Sequence, residues 1–332
     1  MLRRLLCGLV AALVLAPVAA ADGSGGPSPG VVNGGPGATL PGSDLRYVAL
    51  TDGTKTYVEA IQKRDGSVLN AGFVRGTWGV PTIDITGSTG GLSADGRTLV
   101  LGDANPAFGP NGVRKSSSFV VVDAKRLVPE HAKTARFTLR GDFAFDALSP
   151  DGRMLYLIQH VSATDLSRYV VRAYDLDTGS LLPGRIADRT QRGWVMTGYA
   201  VTRTTSADGR WVYTLYRNDG GYPFVHALDT VNRKAHCIGV PWTGTQDNLS
   251  FVRLSLRDSG RQLLIYHQDG ADSPVGSIDT QTYRFVRPTY GDGGSGSFPW
   301  WAVVAPVALL LTGAAAIRIR MRRTRPSEVL PT

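Results

Sequence analysis

Leu148-Ser-Pro-Asp151-Gly-Arg-Met-Leu-Tyr-Leu157 decides how this 332-residue chain is read, because it recurs. The other copies are Leu92-Ser-Ala-Asp95-Gly-Arg-Thr-Leu-Val-Leu101, Thr205-Ser-Ala-Asp208-Gly-Arg-Trp-Val-Tyr-Thr214 and Leu256-Arg-Asp258-Ser-Gly260-Arg-Gln-Leu-Leu-Ile265. Their aspartates stand 56, 57 and 50 residues apart, and a fainter copy, Leu40-Pro-Gly-Ser-Asp44-Leu-Arg-Tyr-Val-Ala-Leu50, comes 51 residues earlier. Asp-Gly between two apolar runs marks a hairpin, since such turns need the positive φ that Gly adopts without steric cost.

A second series follows each hairpin: Phe119-Val-Val-Val-Asp123, Val170-Val-Arg-Ala-Tyr-Asp175, Phe224-Val-His-Ala-Leu-Asp229 and Val275-Gly-Ser-Ile-Asp279. Each reads as a strand ending in an Asx turn. Shorter strands are expected at Ala135–Leu139, Leu181–Ile186, Ala235–Val240 and Tyr283–Val286, and nothing between 42 and 290 shows a long helical period. One unit is therefore about four antiparallel strands. Such a sheet cannot cover both of its apolar faces, so units must stack, and radial stacking makes a β-propeller. Five blades are expected over 42–290, the first built from Tyr47–Leu50, Thr56–Gln62 and Ser67–Val74. The competing fold is a β-sandwich with coincidental turns.

The Leu-Ser-x-Asp-Gly-Arg-x-apolar runs resemble the WD40-like repeats of TolB-type propellers. Strand ends such as Ser277-Ile-Asp-Thr-Gln-Thr look like the YVTN repeats of bacterial surface proteins. The resemblance covers about residues 42–290 and implies the fold. It implies no single activity, because such repeats serve scaffolds, binding proteins and some enzymes.

The two ends carry different signals. Residues 1–21 combine Arg3 and Arg4, the apolar run Leu5–Ala16 and a small-residue ending at Ala21, the pattern of a secretory signal peptide. Residues 22–41 read as a Gly/Pro-rich linker and 291–297 as a Gly/Ser tether. Phe298–Ile317 is an uncharged stretch of 20 residues, which as a helix spans ~30 Å, enough to cross a bilayer. Arg318, Arg320, Arg322, Arg323 and Arg325 follow, as expected of a basic cytoplasmic tail over 318–332. The expected location is the cell membrane, single-pass, with the amino terminus outside.

Net charge is +9, but setting aside Arg3, Arg4, the five tail arginines and Glu328 leaves 29 basic against 26 acidic residues. That near balance gives no reason to expect nucleic-acid binding. Of the two cysteines, Cys7 lies in the leader, and Cys237, in the run His236–Val240, reads as a structural thiol.

In a propeller, the connections leaving each second strand share one end with those entering each first strand. The first set, Gly102–Ser117, Gln159–Arg168, Tyr216–Pro223 and His267–Pro274, carries Asp103, Arg114, His160, Arg217 and His267. The second carries Trp78, Phe143, Trp194 and Trp242. Trp78, Trp194 and Trp242 could ring a groove for a peptide or glycan, oriented by Asp103, His160, Arg217 and His267, or they could wedge between blades as packing. No catalytic residue, metal site or cofactor is expected, since no His-Glu-x-x-His, Gly-x-Ser-x-Gly, P-loop or dinucleotide fingerprint occurs. The function expected is a membrane-anchored binding or scaffolding module for a protein or envelope component. The alternative is an enzyme of lactonase or dehydrogenase type using the central channel.

Overall fold

A computed structural model describes residues 30–288, apart from 129–130, 189, 191–194, 244 and 269. The described chain is a succession of antiparallel meanders, and this all-β result agrees with the sequence reading. The first sheet is Ala38–Thr39, Leu45–Thr51, Lys55–Gln62 and Val68–Arg75. The second is Trp78–Pro81, Thr98–Asp103, Ser116–Val128 and His131–Arg140, with Val31–Val32 added inside Trp78–Pro81. The third is Phe143–Leu148, Met154–His160, Arg168–Asp175 and Ser180–Leu181, with Met196–Thr197 pairing the start of its third strand. Tyr199–Thr205, Trp211–Arg217, Phe224–Asp229 and Lys234–Gly239 make the fourth. Val252–Arg257, Gln262–His267, Gly270–Asp279 and Arg284–Val286 make the fifth.

The middles of the second strands, such as Leu99–Leu101 and Leu155–Ile158, are apolar on consecutive residues because alternate residues point to opposite neighbours. Leu99 and Leu101 enter the cluster shared with the first sheet, while Val100 enters the one shared with the third. Leu155 and Leu157 face the second sheet; Tyr156 and Ile158 face the fourth. Val212 and Tyr216 face the third, whereas Tyr213 and Leu215 join the cluster with the fifth. Successive sheets thus pack face to face in chain order, as propeller blades do.

The recurring turn has a conserved internal wiring in three of its copies. Ser93, Ser149 and Ser206 donate to Asp95, Asp151 and Asp208 and accept from the backbone of Thr98, Met154 and Trp211. The same carboxylates accept the N–H of Arg97, Arg153 and Arg210. The fourth copy has Arg257 in place of the serine and turns instead through Asp258 and Ser259 at φ 51° and 53°. The turns also touch each other. The Asp95 N–H donates to Pro150 O at 3.1 Å. A Cβ on Gly209 would lie 2.5 Å from the Ala94 side chain, and one on Gly152 2.2 Å from Thr98 Oγ1.

The third-strand aspartates form the expected Asx turns: Asp175, Asp229 and Asp279 each accept two backbone N–H groups. Burial opposes ionisation of Asp229, yet the Arg210 guanidinium, the Asn232 and Val231 amides and the Asn232 side chain outweigh it and hold the pKa at about 2.

One expectation is corrected over its second half. The 22–41 linker ends early, because Val31–Val32 and Ala38–Thr39 are strands. Gly79 and Gly102 leave room for Val31 against the second sheet, and apolar Ala38 is fully buried. The signal-peptide segment, the 291–297 tether, the span 298–317 and the basic tail lie outside the described residues. Among the described residues no helix is long and apolar enough to cross a membrane.

Two predictions follow from the stacking. Gly209→Ala and Gly260→Ala both place Ala at positive φ, 73° and 89°, but only Gly209 faces a neighbour within 4 Å. Chemical denaturation should show Gly209→Ala costing about 1–2 kcal/mol more than Gly260→Ala, the overpacking term alone. His226, inside the fourth sheet, has its pKa lowered by burial from 6.5 to about 4. The unfolded chain therefore takes the proton first as pH falls. Stability is complete above pH 6.5 and drops by roughly 3 kcal/mol on approach to pH 4. His226→Phe should flatten the stability-pH curve across that window.

Candidate functional site

The connections leaving the second strands (residues 104–115, 161–167 and 218–223) lie at the same end as the crossings into the next sheets. Hydrogen bonds join each set to its neighbour. Gly76 N–H donates to Thr54 O, Gly141 to Lys115 O and Gly198 to Ser167 O. These three crossing glycines have φ of 94°, 114° and 120°, so each crossing turns through a backbone conformation that favours Gly. Thr56 and Ser117 repeat one latch: each hydroxyl donates to the crossing glycine's carbonyl and accepts the N–H of Trp78 or Phe143.

Trp78 and Trp242 pack into separate cores between sheets. Trp78 is 7% exposed, belongs to the core between the first and second sheets, and donates its indole N–H to Arg75 O at 2.7 Å. Arg136 stands over its ring, 5.5 Å from the centroid. Trp242 packs half-buried against the core between the fourth and fifth sheets and donates to Thr245 O. Both act as wedges, since a large ring at a crossing is the side chain that reaches the adjacent sheet. Trp194 lies outside the described residues; the crossing into the fourth sheet turns instead at Gly198-Tyr199.

The charged residues separate into three local groups. His160 is 8% exposed, its Nδ1 3.3 Å from Asp142 Oδ1. Arg114 donates to the same carboxylate through its Nε (2.9 Å) and backbone N–H (3.0 Å). Burial pulls the Asp142 pKa up, but His160 and Arg114 outweigh it and hold the carboxyl below the usual range. Asp103 accepts the Asn105 N–H, and with Arg114 it lines a cavity of about 10 Å³, room for a single water. His267 stands apart, with its ring 6.1 Å from Trp242. Arg217 donates to Asp219 (2.6 Å) and pairs with Asp247 (2.7 Å). His160 and His267 therefore occupy different sheets in different surroundings, and among the described residues no group of three His, Cys, Asp or Glu could hold a metal ion. Cys237 is half-buried, and burial, reinforced by Asp188, pushes its thiol pKa up, away from reactivity.

Arg217 helps to stiffen the loops. Gln246 donates to Asn218 O and Gly221 O and accepts the Asn218 N–H, all at 2.8 Å. Asn111 donates to Ala163 O, joining the loops of the second and third sheets. On this frame stand the exposed large aromatics of the described residues: Tyr57 (36%), Phe108 (57%), Tyr222 (72%) and Phe251 (59%), with Val161 between them in loop order. Among the described residues, the large hydrophobics exposed at the opposite, turn end are aliphatic, such as Val128 and Val231. Sequence reading passed over these aromatics because it weighed strand-flanking tryptophans and loop charges. The signal available was an aromatic set among turn-formers, as in Asn105-Pro-Ala-Phe108-Gly-Pro and Asp219-Gly-Gly-Tyr222-Pro.

Inside the sheets the space is partly filled. Val31–Val32 lines the second sheet, and the hairpin at 82–89 reaches across to the fourth, where the Ile85 N–H donates to Ala200 O at 2.9 Å. Asp84 ties that hairpin by accepting from Thr86 and Ser88.

Asp142→Asn removes the charge that Arg114 and His160 share. Thermal and denaturant unfolding should show a loss of about 3 kcal/mol, the order for breaking a buried ion pair, and amide exchange should quicken in residues 104–115.

No family model matches this sequence, and no curated protein matches it. Solved structures resemble it weakly. Dihydro-heme d1 dehydrogenase NirN is 13% identical over 78% of this chain and 48% of its own, with a TM-score of 0.43, so the chain spans about half of NirN's length. A putative 6-phosphogluconolactonase from Bacteroides uniformis is 16% identical over 73% and 68%, TM-score 0.40. A putative TolB from Agrobacterium tumefaciens is 14% identical over 73% and 76%, TM-score 0.36. The propeller assignment rests on this chain's own blades, four-stranded meanders packed face to face in chain order.

Proposed function

We propose that the five sheets close as one membrane-anchored, outward-facing propeller whose loop end docks a protein partner in the cell envelope. The observation that carries this reading is the placement of the exposed aromatics Tyr57, Phe108, Tyr222 and Phe251 at one end of the sheets. Exposed aromatic side chains on a rigid surface are the usual anchors of protein interfaces, since they lose little entropy on binding and cover much area. The frame of Gln246, Asn218 and Arg217 supplies that rigidity, so docking costs little loop ordering. The filled space behind Trp78–Pro81 favours docking on this end over chemistry in a channel reached through it.

The outward location and the anchor rest on the sequence of the two ends: a leader pattern before residue 22, and an uncharged 298–317 followed by arginines. Fusing a periplasmic reporter enzyme after residue 332 should give no activity, and the same reporter inserted at 291–297 should be active. The reverse pattern would overturn this topology.

A photo-reactive amino acid placed at Phe108, Tyr222 or Phe251 in living cells should give one common crosslinked adduct. The same residue at Val231, on the turn end, should give none. Tyr222→Ala with Phe251→Ala should weaken partner binding by about 2–4 kcal/mol, the range of paired hot-spot truncations. Adducts confined to Val231 would sink the reading.

A further inference from the structure

The opposite end of the sheets holds a half-open cleft of about 380 Å³ that neither the loop-end reading nor the Asp142 pair uses. It lies among the innermost strands of the first four sheets, near the recurring turns, and its size falls within the range of about 300–1,000 Å³ usual for small-molecule sites. Ile83, Leu92, Phe145 and Leu148 supply apolar wall.

The polar wall combines one internal ion pair with hydroxyls. Arg203 reaches from the fourth sheet to the third and pairs with both the backbone carbonyl and the carboxylate of Asp146, and its Nε donates to Thr214 Oγ1 at 2.8 Å. Their side chains are 4% and 2% exposed, so the cation and the anion neutralise each other inside the wall, and Asp146 Oδ2 is left without a hydrogen-bond partner. A charged ligand would find no unpaired countercharge there and would lose its hydration without compensation. The remaining side chains are hydroxyls. Thr39 and Thr89 line the cleft and donate their protons to Leu45 O and Gly37 O, which leaves their oxygens as acceptors, and Thr205, on the third-sheet side of its strand, lines the same wall. An acceptor-rich, neutral wall backed by apolar side chains fits an uncharged molecule that carries several hydroxyl donors on a compact carbon frame.

We propose that this turn-end cleft binds a neutral sugar of one or two rings. The Thr39, Thr89 and Thr205 oxygens take its hydroxyls, and Phe145 with Leu92 covers its C–H face. Gly90 lets Ile83 and Phe145 pack directly on its backbone in the cleft wall, since a Cβ there would come within 2.9 Å of both.

The test uses the full chain purified in lauryldimethylamine oxide, a detergent without a sugar headgroup. Calorimetric titration runs glucose, N-acetylglucosamine and trehalose against glucosamine, glucuronate and the neutral peptide Gly-Ala-Gly. At least one neutral sugar should bind, with the charged sugars at least tenfold weaker. Thr205→Val keeps the volume and removes one acceptor, and should weaken the sugar about tenfold, the worth of one good hydrogen bond. Ala207→Trp, at an exposed turn position beside the mouth, should abolish binding while circular dichroism melting stays that of the parent. Binding of no neutral sugar, equal binding of glucuronate or glucosamine, preference for the peptide, or indifference to both substitutions would overturn the proposal. Because the cleft and the loop-end aromatics occupy opposite ends, either proposal can fail while the other stands.

Discussion

The fold answers to one constraint, plainest in its second, third and fourth sheets: a sheet that is apolar on both faces has to be covered twice. Leu155 and Leu157 point one way from their strand while Tyr156 and Ile158 point the other, and both sets are fully or almost fully buried. At roughly 25 cal/mol per Å² of apolar surface removed from water, no meander of this kind could stand alone. The stack is what turns the individual hairpins into a molecule.

The contacts between neighbours then set what the rest of the sequence has to be. At the turn end, Gly152 and Gly209 sit so close to Thr98 and Ala94 that a side chain would drive the sheets apart. At the loop end, the crossings must reverse within two or three residues, which puts glycine at positions 76, 141 and 198 and a large ring at Trp78 and Phe143 to reach the adjacent sheet. Polar groups caught between sheets come paired or take the consequence. Asp142 serves Arg114 and His160, and Arg203 spans two sheets to Asp146. His226 stays neutral because charging it there would leave an ion without water.

This division separates structure from surface available for binding. The charged loop residues that stand out in the sequence, His160 and Arg217 among them, are occupied in holding loops and sheets together. What remains free is simpler: four aromatics at one end, and at the other a cleft with hydroxyls and an internally neutralised ion pair. A rigid scaffold with adaptable ends is the arrangement in which binding surfaces change without disturbing the core.

The sequence alone determined the repeat, its strands and its turns, because hydrophobic alternation and Asp-Gly chemistry are local and each copy repeats the evidence. Even the Asx turns at Asp175, Asp229 and Asp279 were legible, since a short carboxylate bonds amides two and three residues away. It could not show that residues 31–32 and 38–39 become strands, because a Gly- and Pro-rich segment has no pattern of its own: Val31–Val32 pairs where Gly79 leaves space, and Ala38–Thr39 pairs with Leu45–Thr51. Nor could it show that Trp78 is core, that Asp142 lies between Arg114 and His160, or that Phe108, Tyr222 and Phe251 share an end. Those facts depend on residues distant in the sequence, such as Arg114 and Asp142, being brought together, and only the stacking of sheets decides which distant side chains become neighbours.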